Sequence, residues 1–304
     1  MNARPSPPDL PLWTYAGAPR FRARALLGQG RLGLVYHAHD EHTGQDVALK
    51  TLPVLEPEPL YHLKEEFRAL AGMAHPNLVE LYELVVEGSQ CFFTMELLRG
   101  RPFTEHPWAG AHWAPGRGPI PPPALAALCA ALEQLALGIT ALHREGRLHR
   151  DIKPSNVLVT DGARVVLLDF DLALRFHPGD PREPDDFAGT PEYMAPEQIW
   201  SRPLTPAADW YSLGVLLYEA LSGQLPFTGP LHDLLHDKQH SAARPLRDLV
   251  PGLPPDLDAL VAALLHPEPA RRPDAAAILH IARRLARLPT APPPPCDPTA
   301  LVAP

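Results

Sequence analysis

Residues 165–174 read VVLLDFDLAL, an apolar run that ends in Asp169, Phe170 and a second acid, Asp171. A carboxylate at the end of a hydrophobic strand is costly to bury unless it binds something, and carboxylate oxygens suit magnesium. A second polar group stands just upstream in LHRDIKPSNVLV, residues 148–159, with Asp151, Lys153 and Asn156. Near the start, LGQGRLGLV sets Gly28, Gly30, Gly33 and Val35 in the pattern G-x-G-x-x-G-x-V. Glycines there let backbone N–H groups approach phosphate oxygens with no Cβ in the way. Alone, such a turn fits a tight hairpin equally well. A strand rather than a helix follows it, which disfavours a dinucleotide-binding fold. VALK then places Lys50 seventeen residues beyond Gly33. The chain holds only four lysines, Lys50, Lys64, Lys153 and Lys238, and arginine supplies its other basic charge. A lysine kept at position 50 in such a chain suggests a need for a compact point charge, although a single exposed strand lysine would mean little. Together these residues suit the handling of phosphate and a metal ion.

Elements of definite type must hold them. Residues 21–36 read as two strand pieces around the glycine turn, and 45–52 as a short alternating strand. Residues 61–74 have helical spacing at Leu63, Phe67 and Leu70, stopped by His75-Pro76. LVELYELVVEG and CFFTMELL read as two further strands around Gly88-Ser89. A long Gly/Pro/Trp loop follows over 101–123. The pattern then turns helical over 124–146, 206–223, 255–265 and 274–288. A small β-rich part before a larger helical part, with a crevice between, is an α+β layout.

The bulk composition sets limits. The sequence of 304 residues, 45% hydrophobic and 20% charged, is enough for a sizeable core. Net charge −8 argues against nucleic acid as a partner. Cys91, Cys129 and Cys296 are odd in number and far apart, which fits a reducing, cytoplasmic compartment. No run has the length and apolarity of a membrane span, and no apolar leader opens the chain. The proline-rich stretches 1–19 and 289–304 read as tails or linkers. The second is expected to lead into further domains of a longer parent chain.

With these motifs joined by GTPEYMAPE at 189–197, the chain resembles the eukaryotic-type (Hanks-type) serine/threonine protein kinases from about Phe21 to about Leu288. The resemblance implies a bilobal kinase domain over 20–288: a β-rich N-lobe with one main helix (20–95), a hinge (96–98) and a helical C-lobe (99–288). It implies ATP and magnesium between the lobes, with manganese able to replace magnesium, and protein substrates. Leu27, Gly28, Gly30, Gly33, Val35 and Ala48 would surround the nucleotide, with Met95 as gatekeeper and Glu96 to Leu98 facing adenine. Lys50 would grip the α- and β-phosphates and pair with Glu66, or with the adjacent Glu65. Asp151 would accept the proton of the substrate hydroxyl, Lys153 would neutralise the transferring phosphoryl group, and Asn156 and Asp169 would hold metal. Lys153, two residues past the base, favours serine and threonine over tyrosine as acceptors. Thr190 would lie near Asp151 and Lys153, Glu197 would pair with Arg272, and Asp209 would brace the catalytic loop. His75 and His149 sit within family motifs as structural residues. The Arg/Ala/Pro-rich composition fits a GC-rich bacterial source.

Two departures from the family pattern stand out. Asp171 replaces the glycine of the usual Asp-Phe-Gly triplet; the metal ligand is kept, and the change either restricts the backbone freedom that lets the triplet flip or is neutral. Residues 169–189, DFDLALRFHPGDPREPDDFAG, contain no Ser, Thr or Tyr. Asp186 stands four residues before Thr190, where many relatives carry a phosphothreonine, and its carboxylate opposite Arg150 would imitate part of that charge. The expectation is a kinase active without activation-loop phosphorylation. Trp108 and Trp113 in the loop 104–119 would either meet a partner or pin the loop. The alternatives are a pseudokinase scaffold that binds nucleotide or a partner, and a small-molecule kinase.

Overall fold

The computed structural model describes residues 20–29, 33–52, 57–87, 90–106, 108, 115, 118–169, 174–175, 190–200 and 202–287. Five antiparallel strands form the first sheet: β1 Phe21–Gln29, β2 Leu34–Asp40, β3 Gln45–Leu52, β4 Leu81–Glu87 and β5 Gln90–Met95, in the order β1-β2-β3-β5-β4. Alternation in β2 buries Tyr36, Ala38 and Asp40, so that Tyr36 and Ala38 join Phe21, Val47, Leu49 and Phe92 on one apolar face. The same period turns Val35 the other way, where it lines a cleft. Helix α1, Pro57–Ala71, packs on β4, and its Phe67 ring lies 5.8 Å from that of Phe93. It begins four residues before, and ends three before, the helix read over 61–74.

The larger part is built on α2 Pro122–Arg144 and α4 Ala207–Ser222, with α3 Pro196–Ile199, α5 Leu231–His240, α6 Pro255–Leu264 and α7 Ala275–Ala286 around them. Proline at the first turn starts α2, where its missing N–H costs nothing. Asp274 caps α7 by accepting from the Ala277 N–H at 2.9 Å. Gly223, at φ 73°, ends α4 in the left-handed region that favours glycine. By length and composition α2 meets the criterion for crossing a membrane, which corrects the expectation that no segment does. Its apolarity comes from leucine and alanine, and Leu128, Leu132, Leu135, Ile139 and Leu142 are buried in the core.

The expected loop 101–123 contains regular structure: β6 Gly100–Pro102 pairs with β8 Val157–Thr160, which pairs with β9 Val165–Leu167, and a 3-10 turn covers Phe103–Glu105. Trp108 is buried, its ring 4.8 Å from that of Phe103, so this tryptophan pins the loop. Trp113 lies outside the described residues. β7 Arg147–Leu148 pairs with β10 Leu174–Arg175. These short strands frame the loops that enter the cleft.

Candidate active site

A cleft of about 790 Å³ lies between the five-stranded sheet with α1 and the helical part, a size suited to a nucleotide. Leu27, Gly28, Val35, Ala48 and Met95 line it from the sheet, and Glu96 and Leu98 from the segment joining the two parts. Gly33 is fixed by close approach: a Cβ there would stand 1.8 Å from the Thr51 carbonyl oxygen. Gly30 lies outside the described residues. Antiparallel register sets Lys50 opposite Val35 and Ala48 opposite Met95, which turns all four toward one cleft. The Glu96 N–H donates to the Glu80 carbonyl at 2.9 Å, and its carboxylate takes a fork of bonds from Arg164 at 2.5 and 3.1 Å. Arg164 also donates to the Pro76 carbonyl at 2.6 Å, tying the joining segment to both parts. No backbone hydrogen bond occupies the Leu98 N–H among the described residues, which suits it to meet a planar base edge.

Lys50 is 2% exposed, and its Nζ stands 2.6 Å from Asp169 Oδ1. A buried ammonium needs such a partner. Glu66 lines the same cleft, but its carboxylate lies 3.9 Å from Arg147 Nη1. Among the described residues, then, the expected Lys50–Glu66 pair is not formed. Glu66 stands instead at the edge of ion-pair reach of the buried Arg147, and Lys50 stands beside Asp169. Glu65, the fallback, pairs weakly with Arg68 on the helix surface at 3.8 Å.

Asp209 organises the loop that carries Asp151. Fully buried, it accepts from the Arg150 N–H at 2.8 Å and the His149 N–H at 2.9 Å, and from His143 Nε2 at 2.8 Å. Burial pushes its carboxyl toward the neutral form, but the His143 hydrogen bond and its neighbours outweigh that and hold it below its ordinary value. Arg150 sits at φ 68°, a conformation costly to a side-chain-bearing residue. Asp209 and Gln198, whose Nε2 donates to the Arg150 carbonyl at 3.1 Å, maintain it. His149 Nε2 donates to the Leu168 carbonyl at 2.8 Å, and its Nδ1 accepts from the Asp151 N–H at 3.3 Å. One imidazole thus links the base loop to the strand end that carries Asp169.

The groups expected to do chemistry converge. Asp151 Oδ2 stands 2.7 Å from Lys153 Nζ and accepts from Asn156 Nδ2 at 3.0 Å; Asn156 Nδ2 also donates to the Asp151 carbonyl at 2.9 Å. Thr190 Oγ1 lies 3.4 Å from Asp151 Oδ1 and 3.0 Å from Lys153 Nζ. With its NH2 committed to Asp151, Asn156 has its carbonyl oxygen, met among the described residues only by the Ser155 hydroxyl at 3.5 Å, as a hard ligand, and Asp169, at φ 60°, lines the same cleft. No group of three or more His, Cys, Asp or Glu could hold a metal by itself among the described residues. Two oxygen donors with phosphates completing the shell is the usual manner of magnesium, and Asn156 and Asp169 fit it.

Thr190 lines the cleft, and the segment that it opens runs on to Glu197. The Arg272 guanidinium grips Glu197 at 2.5 and 2.8 Å, both side chains buried, and donates to the carbonyls of Ala207, His266 and Pro267. Asp171 and Asp186 lie outside the described residues. Sequence reasoning did not single out His143, Gln198 or Arg164 as supports. The one signal for Lys238 was the scarcity of lysine.

A family model described as protein kinase domain matches residues 21–282. The chain is 34% identical over 269 residues to serine/threonine-protein kinase pkn2 of Myxococcus xanthus, covering 84% of this chain and 31% of that protein. It is 33% identical over 257 residues to serine/threonine-protein kinase PknL of Mycobacterium bovis, covering 83% and 62%. It is 31% identical over 290 residues to serine/threonine-protein kinase PknA of Mycobacterium tuberculosis, covering 90% and 64%. The chain therefore spans less than two thirds of the length of these relatives.

Proposed function

The chain belongs to the protein kinase family, in its serine/threonine branch, and on that premise we propose that it transfers the γ-phosphate of ATP to serine and threonine hydroxyls of other proteins. The observation that carries this reading is the meeting of Asp151, Lys153, Asn156 and Thr190 within hydrogen-bonding reach at one end of the nucleotide-sized cleft. In it, Asp151 accepts the acceptor hydroxyl's proton as the oxygen attacks phosphorus. Asn156 holds the Asp151 carboxylate in place, and Lys153 stands where negative charge develops on the transferring group. Lys50 meets the nucleotide phosphates. A divalent ion, magnesium in our reading and replaceable by manganese, would sit on Asn156 and Asp169 and neutralise phosphate charge.

Activity without activation-loop phosphorylation belongs to the same proposal. It is supported by the absence of any hydroxyl residue between Asp169 and Thr190 and by the acids Asp185 and Asp186. The ATP requirement and the buried free thiols Cys91 and Cys129 support a cytoplasmic setting. The greater length of the relatives supports further domains in a longer parent chain. One observation favours a second reading, a nucleotide- or partner-binding scaffold: Lys50 is held by Asp169 while Glu66 faces Arg147. The test is incubation with γ-labelled ATP and a generic basic protein, followed by acid hydrolysis. Label on phosphoserine and phosphothreonine is expected. Label on tyrosine alone, or nucleotide binding without transfer, would contradict the proposal, the latter in favour of the scaffold.

A further inference from the structure

Of the four lysines, Lys50 and Lys153 line the cleft, and Lys238 is the one whose burial that site leaves unexplained. It lies on α5, a polar helix with only Leu234 and Lys238 buried, four residues apart on one face. Lys238 has no exposed surface at all. Burying an ammonium ion is strongly unfavourable unless its donors are satisfied. Here Nζ donates to the carbonyls of Glu192 and Met194, each at 2.7 Å, and lies 5.2 Å from the centre of the Tyr211 ring. Between them, the Tyr193 carbonyl accepts from Ser212 Oγ at 2.9 Å. The three consecutive carbonyls of residues 192–194 are thus held by side chains reaching in from α5 and α4.

The same segment runs into the chemistry. The N–H groups of Tyr193 and Met194 both donate to the Thr190 carbonyl, at 2.9 and 3.1 Å. The Thr190 hydroxyl in turn touches Lys153 and faces Asp151. A shift of residues 192–194 therefore moves the residue standing beside the base. Apolar side chains could fill the space of Lys238, but they could not hold two carbonyls that would otherwise turn toward solvent or leave the segment's conformation undetermined.

We propose that Lys238 is a positioning residue for the protein acceptor, fixing the backbone of residues 192–194 so that the acceptor chain docks with its hydroxyl at Asp151. This rests on the kinase reading above. It predicts an effect on acceptor binding and not on nucleotide handling, because Lys238 lies outside the nucleotide cleft.

The test compares wild type with Lys238→Met, which keeps the bulk and removes the donors, Lys238→Gln, which keeps N–H donors without charge, and Ser212→Ala, which frees the middle carbonyl. Lys238→Met is expected to raise KM for a protein acceptor about tenfold or more while KM for ATP stays within about twofold. Lys238→Gln should fall between it and wild type, and Ser212→Ala should move the same way by less. Amide hydrogen exchange at Tyr193 and Met194 should quicken in Lys238→Met with little change in α2 or α4. Unchanged acceptor KM and unchanged exchange in Lys238→Met and Ser212→Ala would overturn the proposal. So would equal losses for ATP and acceptor in all three variants, the mark of a role in packing alone. If the wild type transfers no phosphate, the kinase reading fails by itself. The exchange arm still decides whether Lys238 fixes the segment, and unchanged exchange would again overturn it.

Discussion

Glu197 and Arg272 illustrate how single residues hold this site. Both are buried, their fork of hydrogen bonds joins α3 to the chain before α7, and the guanidinium also lies 4.9 Å from the centre of the Tyr211 ring. Removing one partner strands a charge in a dry interior. Glu197→Ala is therefore expected to cost about 3–5 kcal/mol of stability, measured by denaturant unfolding. A loss within ~0.5 kcal/mol would mean that Arg272 finds enough compensation in the carbonyls of Ala207, His266 and Pro267. Residues of this kind were the most legible in the sequence, because their types are dictated by charge and their neighbours by motif. Asp151, Lys153, Asn156 and Thr190 were read as one group and lie as one group. Glu66 was chosen by counting from Pro76, and counting cannot reveal that Arg147, remote in sequence, stands nearer to it than Lys50 does.

At the scale of elements, the edge of the first sheet is tied by charge. Arg20, entering β1, donates to Asp40 at the end of β2 at 3.0 Å through two nitrogens, and to Glu83 on β4 at 2.6 and 3.0 Å. The Arg20 hydrogen bond, acting against desolvation, brings the Asp40 carboxyl down from an ordinary 3.8 to about 2. The sign follows from linkage. The unfolded chain binds a proton at Asp40 at higher pH than the folded chain, so this contribution is complete above about pH 4 and is lost as pH falls toward about 2. Acid titration of stability should show that limb in wild type and a smaller one in Arg20→Ala; identical limbs would contradict the pairing. Legibility was uneven at this scale. Long apolar helices such as α2 and α4 announce themselves by period and length. β6, β7, β9 and β10 are two or three residues long and carry no period to read. Helix α5 stayed hidden because its only buried positions are one leucine and one lysine.

Across the whole molecule, the cleft takes one wall from strands β1 to β3 and Asp151, Asn156 and Asp169 from loops tied together by Asp209 and His149, two parts that are remote in sequence. Motif spacing made that division readable, since the glycine turn and Lys50 precede, and the catalytic loop follows, the change from strand to helix patterns. What spacing could not supply is the web beneath the cleft. Gln198, Arg164 and Lys238 reach backbone carbonyls, which leave no mark in residue type, and His143 reaches Asp209 from a helix remote in sequence. The central claim is that Asp151 is the base of a phosphoryl transfer that needs no loop phosphate. The most direct measurement is transfer of labelled γ-phosphate from magnesium ATP to a basic protein by phosphatase-treated wild type and Asp151→Asn, with nucleotide binding followed in parallel. The account predicts transfer by the treated wild type and a loss of about 10²–10⁴-fold in Asp151→Asn at unchanged nucleotide affinity. Equal transfer by the two proteins, or none by the treated wild type despite bound nucleotide, would contradict it.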